Sequence, residues 1–124
     1  MEKKVYITEE EREKCRRVID AFAELYEMED EDMLVVDAGR YGFVKLQCYT
    51  PSYGFEELDT YTDSHSLFKG LWDEWLSLNL FLIAMEMQLD DIVGEEVFNT
   101  LPKEKQSELI GRKADFAQKA GISL

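Results

Sequence analysis

Between Ser64 and Met87 the chain places Leu67, Phe68, Leu71, Trp72, Trp75, Leu76, Leu78, Leu80, Phe81, Leu82 and Ile83 in a helical pattern. These side chains cover more than one helical face, so the helix needs neighbours on several sides and becomes the central element of the fold. The run from Leu76 to Met87 is broken by Ser77, Asn79 and Glu86. A membrane span needs about 20 predominantly apolar residues, so a buried helix is the expectation. In a chain of 124 residues with 45% hydrophobic residues, one such helix and its covering elements make a single domain, residues 1–124.

The flanking segments supply the cover. Thr8 followed by Glu11 is a capping-box start. Cys15, Val18, Ile19, Phe22, Leu25 and Tyr26 then recur at helical spacing and form one apolar stripe. On its opposite side lie Glu9, Glu13, Asp20, Glu24 and Glu27, with Arg16 and Arg17 placed to pair with Asp20 and Glu13. Met33 to Val36 and Tyr41 to Tyr49 read as strands joined by the turn Asp37-Ala38-Gly39-Arg40, and Phe55 to Thr62 as a third. Thr50-Pro51-Ser52-Tyr53-Gly54 is a loop. A short helix over Asp90 to Asn99 precedes a final helix that opens at Pro102 and ends at Gly121. The order α-β-β-(β)-α-α-α predicts an α+β domain: an N-terminal helix, a small antiparallel sheet of two or three strands, a long central helix and C-terminal helices.

The charge is uneven. Of the 27 acids and 14 bases, residues 1–99 hold 24 and 9, whereas residues 100–124 hold 3 and 5. The final helix, with Lys103, Lys105, Arg112, Lys113 and Lys119, is therefore expected to dock on its own acidic body. A net charge of −13 opposes unaided binding to nucleic acid or anionic lipid. The acids gather in four clusters: Glu27, Glu29, Asp30, Glu31 and Asp32; Glu56, Glu57 and Asp59; Asp73 and Glu74; and Asp90, Asp91, Glu95 and Glu96. Solubility alone accounts for many such clusters. Gathered on one face, they would instead stand in for phosphates on the basic surface of a nucleic-acid-binding protein.

Several chemistries lack their residues. There is no Gly-rich phosphate loop and no Cys or His pair at zinc-ligand spacing, and the acid clusters lack the spacing of a calcium loop. No cofactor or metal is expected. Cys15 and Cys48, in a chain whose Met1-Glu2-Lys3-Lys4 start carries no export signal, read as reduced cysteines of a cytoplasmic protein. The single histidine, His65, sits at a helix start that Asp63 or Ser64 caps; an enzyme using His65 with Cys48 is the alternative to a plain surface position.

Gly39-Arg40-Tyr41-Gly42-Phe43-Val44-Lys45-Leu46 resembles the RNP1 strand of the RNA-recognition fold, with its leading Arg-Gly order inverted and Leu46 in place of the final aromatic. On that resemblance Tyr41 and Phe43 would stack bases. The preceding helix and the acidity oppose it, and a hairpin strand with aromatic cross-strand pairs is the other reading. The segments Asp37 to Leu46, Leu71-Trp72-Asp73-Glu74-Trp75-Leu76 and Leu101-Pro102-Lys103-Glu104-Lys105-Gln106 together resemble small uncharacterised accessory proteins encoded on mobile elements of gut Firmicutes. That resemblance implies a role in element transfer, maintenance or counter-defence and carries over no site residues.

The expectation is thus a small acidic protein-binding module, an adaptor or regulator without enzymatic activity. One form of it is a DNA-mimic inhibitor of the antirestriction or anti-CRISPR type. Tyr49, Tyr53, Phe55 and Tyr61 exceed what one small sheet face buries, and form a candidate aromatic patch for a protein partner.

Overall fold

The computed structural model describes residues 6–49, 54–88 and 94–124. Tyr53, Asp90 and Asp91 lie outside them. Helix α1 (Glu9–Ala21) is capped by Thr8, whose hydroxyl accepts from the Glu11 N–H at 3.1 Å. The Glu11 side chain does not return to Thr8 as a capping box would. It accepts instead from the Ser64 N–H and hydroxyl, at 3.4 and 3.2 Å, and so ties α1 to the start of the central helix. After a break at Phe22 the chain continues as α2 (Ala23–Met28).

The sheet is an antiparallel meander of β1 (Met33–Asp37), β2 (Phe43–Cys48) and β3 (Phe55–Tyr61) in that spatial order. A short 3-10 turn at Gly39–Tyr41 joins the first two strands. Gly42 is required where that turn enters β2: its φ is +101°, and a Cβ there would meet the Tyr61 carbonyl oxygen at 2.2 Å. The register places Phe43 opposite Tyr61 and Asp37 opposite Phe43. Met33, Phe43 and Tyr61 turn inward on one face. The other face, with Leu34, Val36, Val44, Leu46 and Phe55, stays partly or largely exposed.

The central helix α3 (Ser64–Glu86) is capped by Asp63, whose carboxylate accepts from the Ser66 N–H at 2.8 Å. Its first half is fully packed: Leu67, Phe68, Leu71, Trp72 and Trp75 are buried. Gly70 makes room for the sheet, since a Cβ there would lie 2.4 Å from the Tyr61 hydroxyl. Helices α4 (Gly94–Thr100) and α5 (Lys103–Ala120) complete the domain, and α5 ends on Gly121 in the left-handed conformation at φ +70°. Phe22 and Phe116 stack at 4.4 Å between ring centres, with Trp72 on Trp75 at 5.3 Å beside them.

The expected order of elements is therefore present, third strand included. One expectation is corrected. Enclosure of α3 on several sides holds for its N-terminal half; beyond Trp75, Leu80 and Ala84 are still buried but one side of the helix is open. Phe81 and Met85 are 59% and 61% exposed, and Leu82 is also open. Among the described residues, no helix is long and apolar enough to cross a membrane.

Candidate functional site

The acidic turn after α2 is shaped by its backbone. Asp30 and Glu31 adopt φ of +53° and +61°, and the Glu31 N–H donates back to the Tyr26 carbonyl at 2.8 Å. Just before this reversal, at the C-cap of α2, Glu29 lies close enough to Glu74 of α3 for the two carboxyl groups to act on each other. Burial, then the charge and hydrogen bond of Glu74, push the Glu29 pKa above the ordinary carboxylate value; Asp32 adds to the rise and Lys45 opposes it.

A third carboxylate arrives from β3. Asp59, Glu74 and Asp73 all act on the Tyr61 hydroxyl. Burial, with these three acids behind it, pushes the Tyr61 pKa up to about 12. Asp73 in turn lines a groove of about 320 Å³ between α3, α4 and α5, with Glu95 on its rim and Leu76, Leu80, Phe98 and Ile110 among its walls. Glu29 thus neighbours Asp32 and Glu74, Glu74 shares the Tyr61 hydroxyl with Asp59 and Asp73, and Asp73 shares the groove with Glu95, so these groupings draw on all four acid clusters.

Glu57 is parted from Asp59. The register pairs Lys45 with Asp59 but Leu46 with Glu57, so Leu58 is an extra residue in β3. This bulge turns Asp59 and Glu57 to opposite sheet faces, which splits a cluster that sequence reads as continuous. Glu57 accepts from the Thr60 hydroxyl at 3.1 Å, and Glu56 from the Tyr49 hydroxyl at 2.8 Å. Glu27, Asp30, Glu31 and Glu96 are exposed to solvent.

Several bases pair with acids outside the four clusters. Arg12 and Arg16 reach across to Asp37 at 2.7 and 3.3 Å, in place of the pairings along α1 expected from sequence. Their hydrogen bonds, with that of the Gly39 N–H, hold the Asp37 pKa below the ordinary value. Lys14 pairs with Glu10 and Glu11, and Lys105 with Glu108. Arg112 of α5 pairs with Glu24 of α2 and lies 5.1 Å from the Trp75 ring centre and 5.0 Å from that of Phe116. The expected docking of the basic helix on the acidic body thus rests on Arg112, while Lys105 pairs within α5 and Lys103, Lys113 and Lys119 make no ion pair within 4.0 Å among the described residues. Among the described residues, no acid of the four clusters stands within 4.0 Å of a basic group.

Two other sequence readings change. Of the aromatic patch, Tyr49 and Phe55 are exposed, whereas Tyr61 is 6% exposed and belongs to the core. Its place opposite Phe43 and against Gly70 removes it from any partner's reach. In the RNP1-like stretch, Tyr41 ends the 3-10 turn, in contact with Tyr6 and Arg40, while Phe43 is 2% exposed. Phe43 is thus closed to a base, and the two aromatics form no stacking platform.

His65 lies exposed in the first turn of α3 and is no part of the groove. The Cys15 thiol is buried, and burial pushes its pKa up to about 11, which suits an inert core cysteine. No group of three or more metal-ligating side chains occurs among the described residues. The groove was absent from the sequence reading; its signal was Ile110, an apolar residue on the otherwise polar α5, facing Leu76 and Leu80 of α3.

No protein family, curated protein or solved structure matches this chain.

Proposed function

We propose that the chain is a small acidic, non-enzymatic protein-binding module of the cytoplasm, acting on a protein with a basic nucleic-acid-binding surface. Its carboxylates take the positions that phosphates occupy when that surface holds DNA or RNA. A DNA-mimic inhibitor of a nuclease or its regulator, of the antirestriction or anti-CRISPR type, is the specific form of this reading. It suits an accessory protein of a mobile element.

The observation that carries the proposal is the crowding of Glu29 with Glu74, of Glu74 with Asp59 and Asp73 about the Tyr61 hydroxyl, and of Asp73 with Glu95 in the groove, with no acid of the four clusters within ion-pair distance of a base among the described residues. Like charges brought together lower folded stability, so acids serving solubility alone are better dispersed. A partner's Lys and Arg side chains would relieve the repulsion and release bound counterions on both sides.

Retention of nucleic-acid-binding proteins on the immobilised chain tests this across a salt series. With about four phosphate-like contacts, raising salt from about 50 to about 200 mM should weaken binding on the order of 100-fold. Asp59→Asn with Asp73→Asn and Glu95→Gln should weaken retention, whereas Glu9→Gln with Glu13→Gln on α1 should not. Retention indifferent to salt, or capture of no such protein, rejects the proposal.

A further inference from the structure

The groove between α3, α4 and α5 has a mixed chemistry that the proposed acidic surface does not use. Leu76, Leu80, Phe98 and Ile110 wall it, and Asp73 and Glu95 stand at its rim. From the groove residue Ser77, Phe81 and Met85 follow at four-residue steps, which places them on one stripe of α3. Both are well over half exposed. From Leu76 to Met85 the apolar track of α3 runs about 14 Å along the helix, the length of roughly nine helical residues.

We infer that this track docks a short amphipathic helix of the partner, with an apolar stripe and Lys or Arg beside it. The inference rests on the reading that the partner is basic, and it specifies the element that the groove takes. Charge complementarity selects the occupant. A wholly apolar segment would strip water from Asp73 and Glu95 without replacing it, and an acidic one would be repelled. A second copy of this chain would bring −13 of charge and its own rim carboxylates to the same place. A cationic amphipathic helix satisfies both parts: its stripe enters at helical spacing, and its ammonium or guanidinium groups meet the rim.

The probe is a fluorescent fourteen-residue synthetic helix with leucines at i, i+3, i+4 and i+7 positions and lysines elsewhere. Its control has every leucine replaced by serine and keeps the charge. The leucine peptide should bind the full chain and shift backbone amides of α3, α4 and α5. Ile110→Glu should weaken it tenfold or more. Phe81→Ser, at a more exposed position, should weaken it severalfold and serves if Ile110→Glu disturbs the fold. Asp73→Asn with Glu95→Gln should weaken it and flatten its salt dependence. Equal binding of the serine control, shifts confined to the sheet, or indifference to both apolar variants overturns the docking. If neither peptide binds while nucleic-acid-binding proteins are still retained in a salt-dependent way, the groove inference fails and the proposed function stands. Loss of that retention as well removes both.

Discussion

Glu24 and Glu29 lie on and just beyond the same short helix, yet they meet opposite surroundings. Glu24 accepts from the Trp75 indole N–H at 3.4 Å and pairs with Arg112, whose guanidinium covers two aromatic rings. Glu29 meets another carboxyl group, Glu74, with Lys45 as the base that offsets it. Glu24 and Trp75 are parts of a packed helical seam that joins α2, α3 and α5. Glu29 and Glu74 are parts of a surface that, among the described residues, forms no ion pair within 4.0 Å. The contrast shows that the acids divide into those used for folding and those left available.

Substitutions can break either side of this contrast. Trp75→Ala should cost about 3–5 kcal/mol in chemical denaturation, because it empties the seam beneath Glu24 and Arg112 and strips partners from Trp72 and Phe116. Gly70→Ala should cost about 1–3 kcal/mol by driving a methyl group into the Tyr61 hydroxyl, with a matching fall in melting temperature. Arg112→Ala should cost about 1 kcal/mol, part of it lost packing on the rings, since the ion pair itself is partly solvated. On the other side the sign reverses. Glu29→Gln should stabilise the chain by about 0.5 kcal/mol at neutral pH, and equal or lower stability in denaturation would show that Glu74 is not repelled.

Acidification sharpens the same point. The Glu29 pKa is raised in the folded chain, so its penalty is fully present above that folded value and is relieved as pH falls towards the ordinary value of the unfolded chain. Asp37 behaves in the opposite sense. Its lowered pKa contributes stability above the ordinary carboxylate value, and that stability disappears as pH falls through the folded value. Melting curves of the parent should therefore show a small gain on mild acidification before a loss. The Glu29→Gln variant should lack the gain.

Much of the fold was legible because its signals are local. Thr8, Asp63 and Gly121 mark helix ends by their own chemistry, and the Asp37–Arg40 turn and the apolar run of α3 announce themselves within a few residues. The break at Phe22 was not legible. No glycine or proline stands there, and the stacking of Phe22 on Phe116 from the other end of the chain accompanies it. The candidate site was legible as residue types but not as a surface. The meeting of Glu29 with Glu74 joins residues of two separate helical elements, and parting Asp59 from Glu57 depends on one bulged residue. Neither departs from ordinary composition or spacing.

Edge strand β3 has a further consequence. From Phe55 to Thr60 every residue is exposed, and only Tyr61 is anchored in the core. Such a strand, with Phe55 and Leu58 open to solvent, invites another chain to add to the sheet. Glu56, Glu57 and Asp59 act there as gatekeepers, making each new strand bring its own charge beside theirs. Colloidal behaviour should therefore follow those three carboxylates: light scattering at high protein concentration should stay flat at neutral pH and low salt, and rise when acid neutralises them or salt screens them.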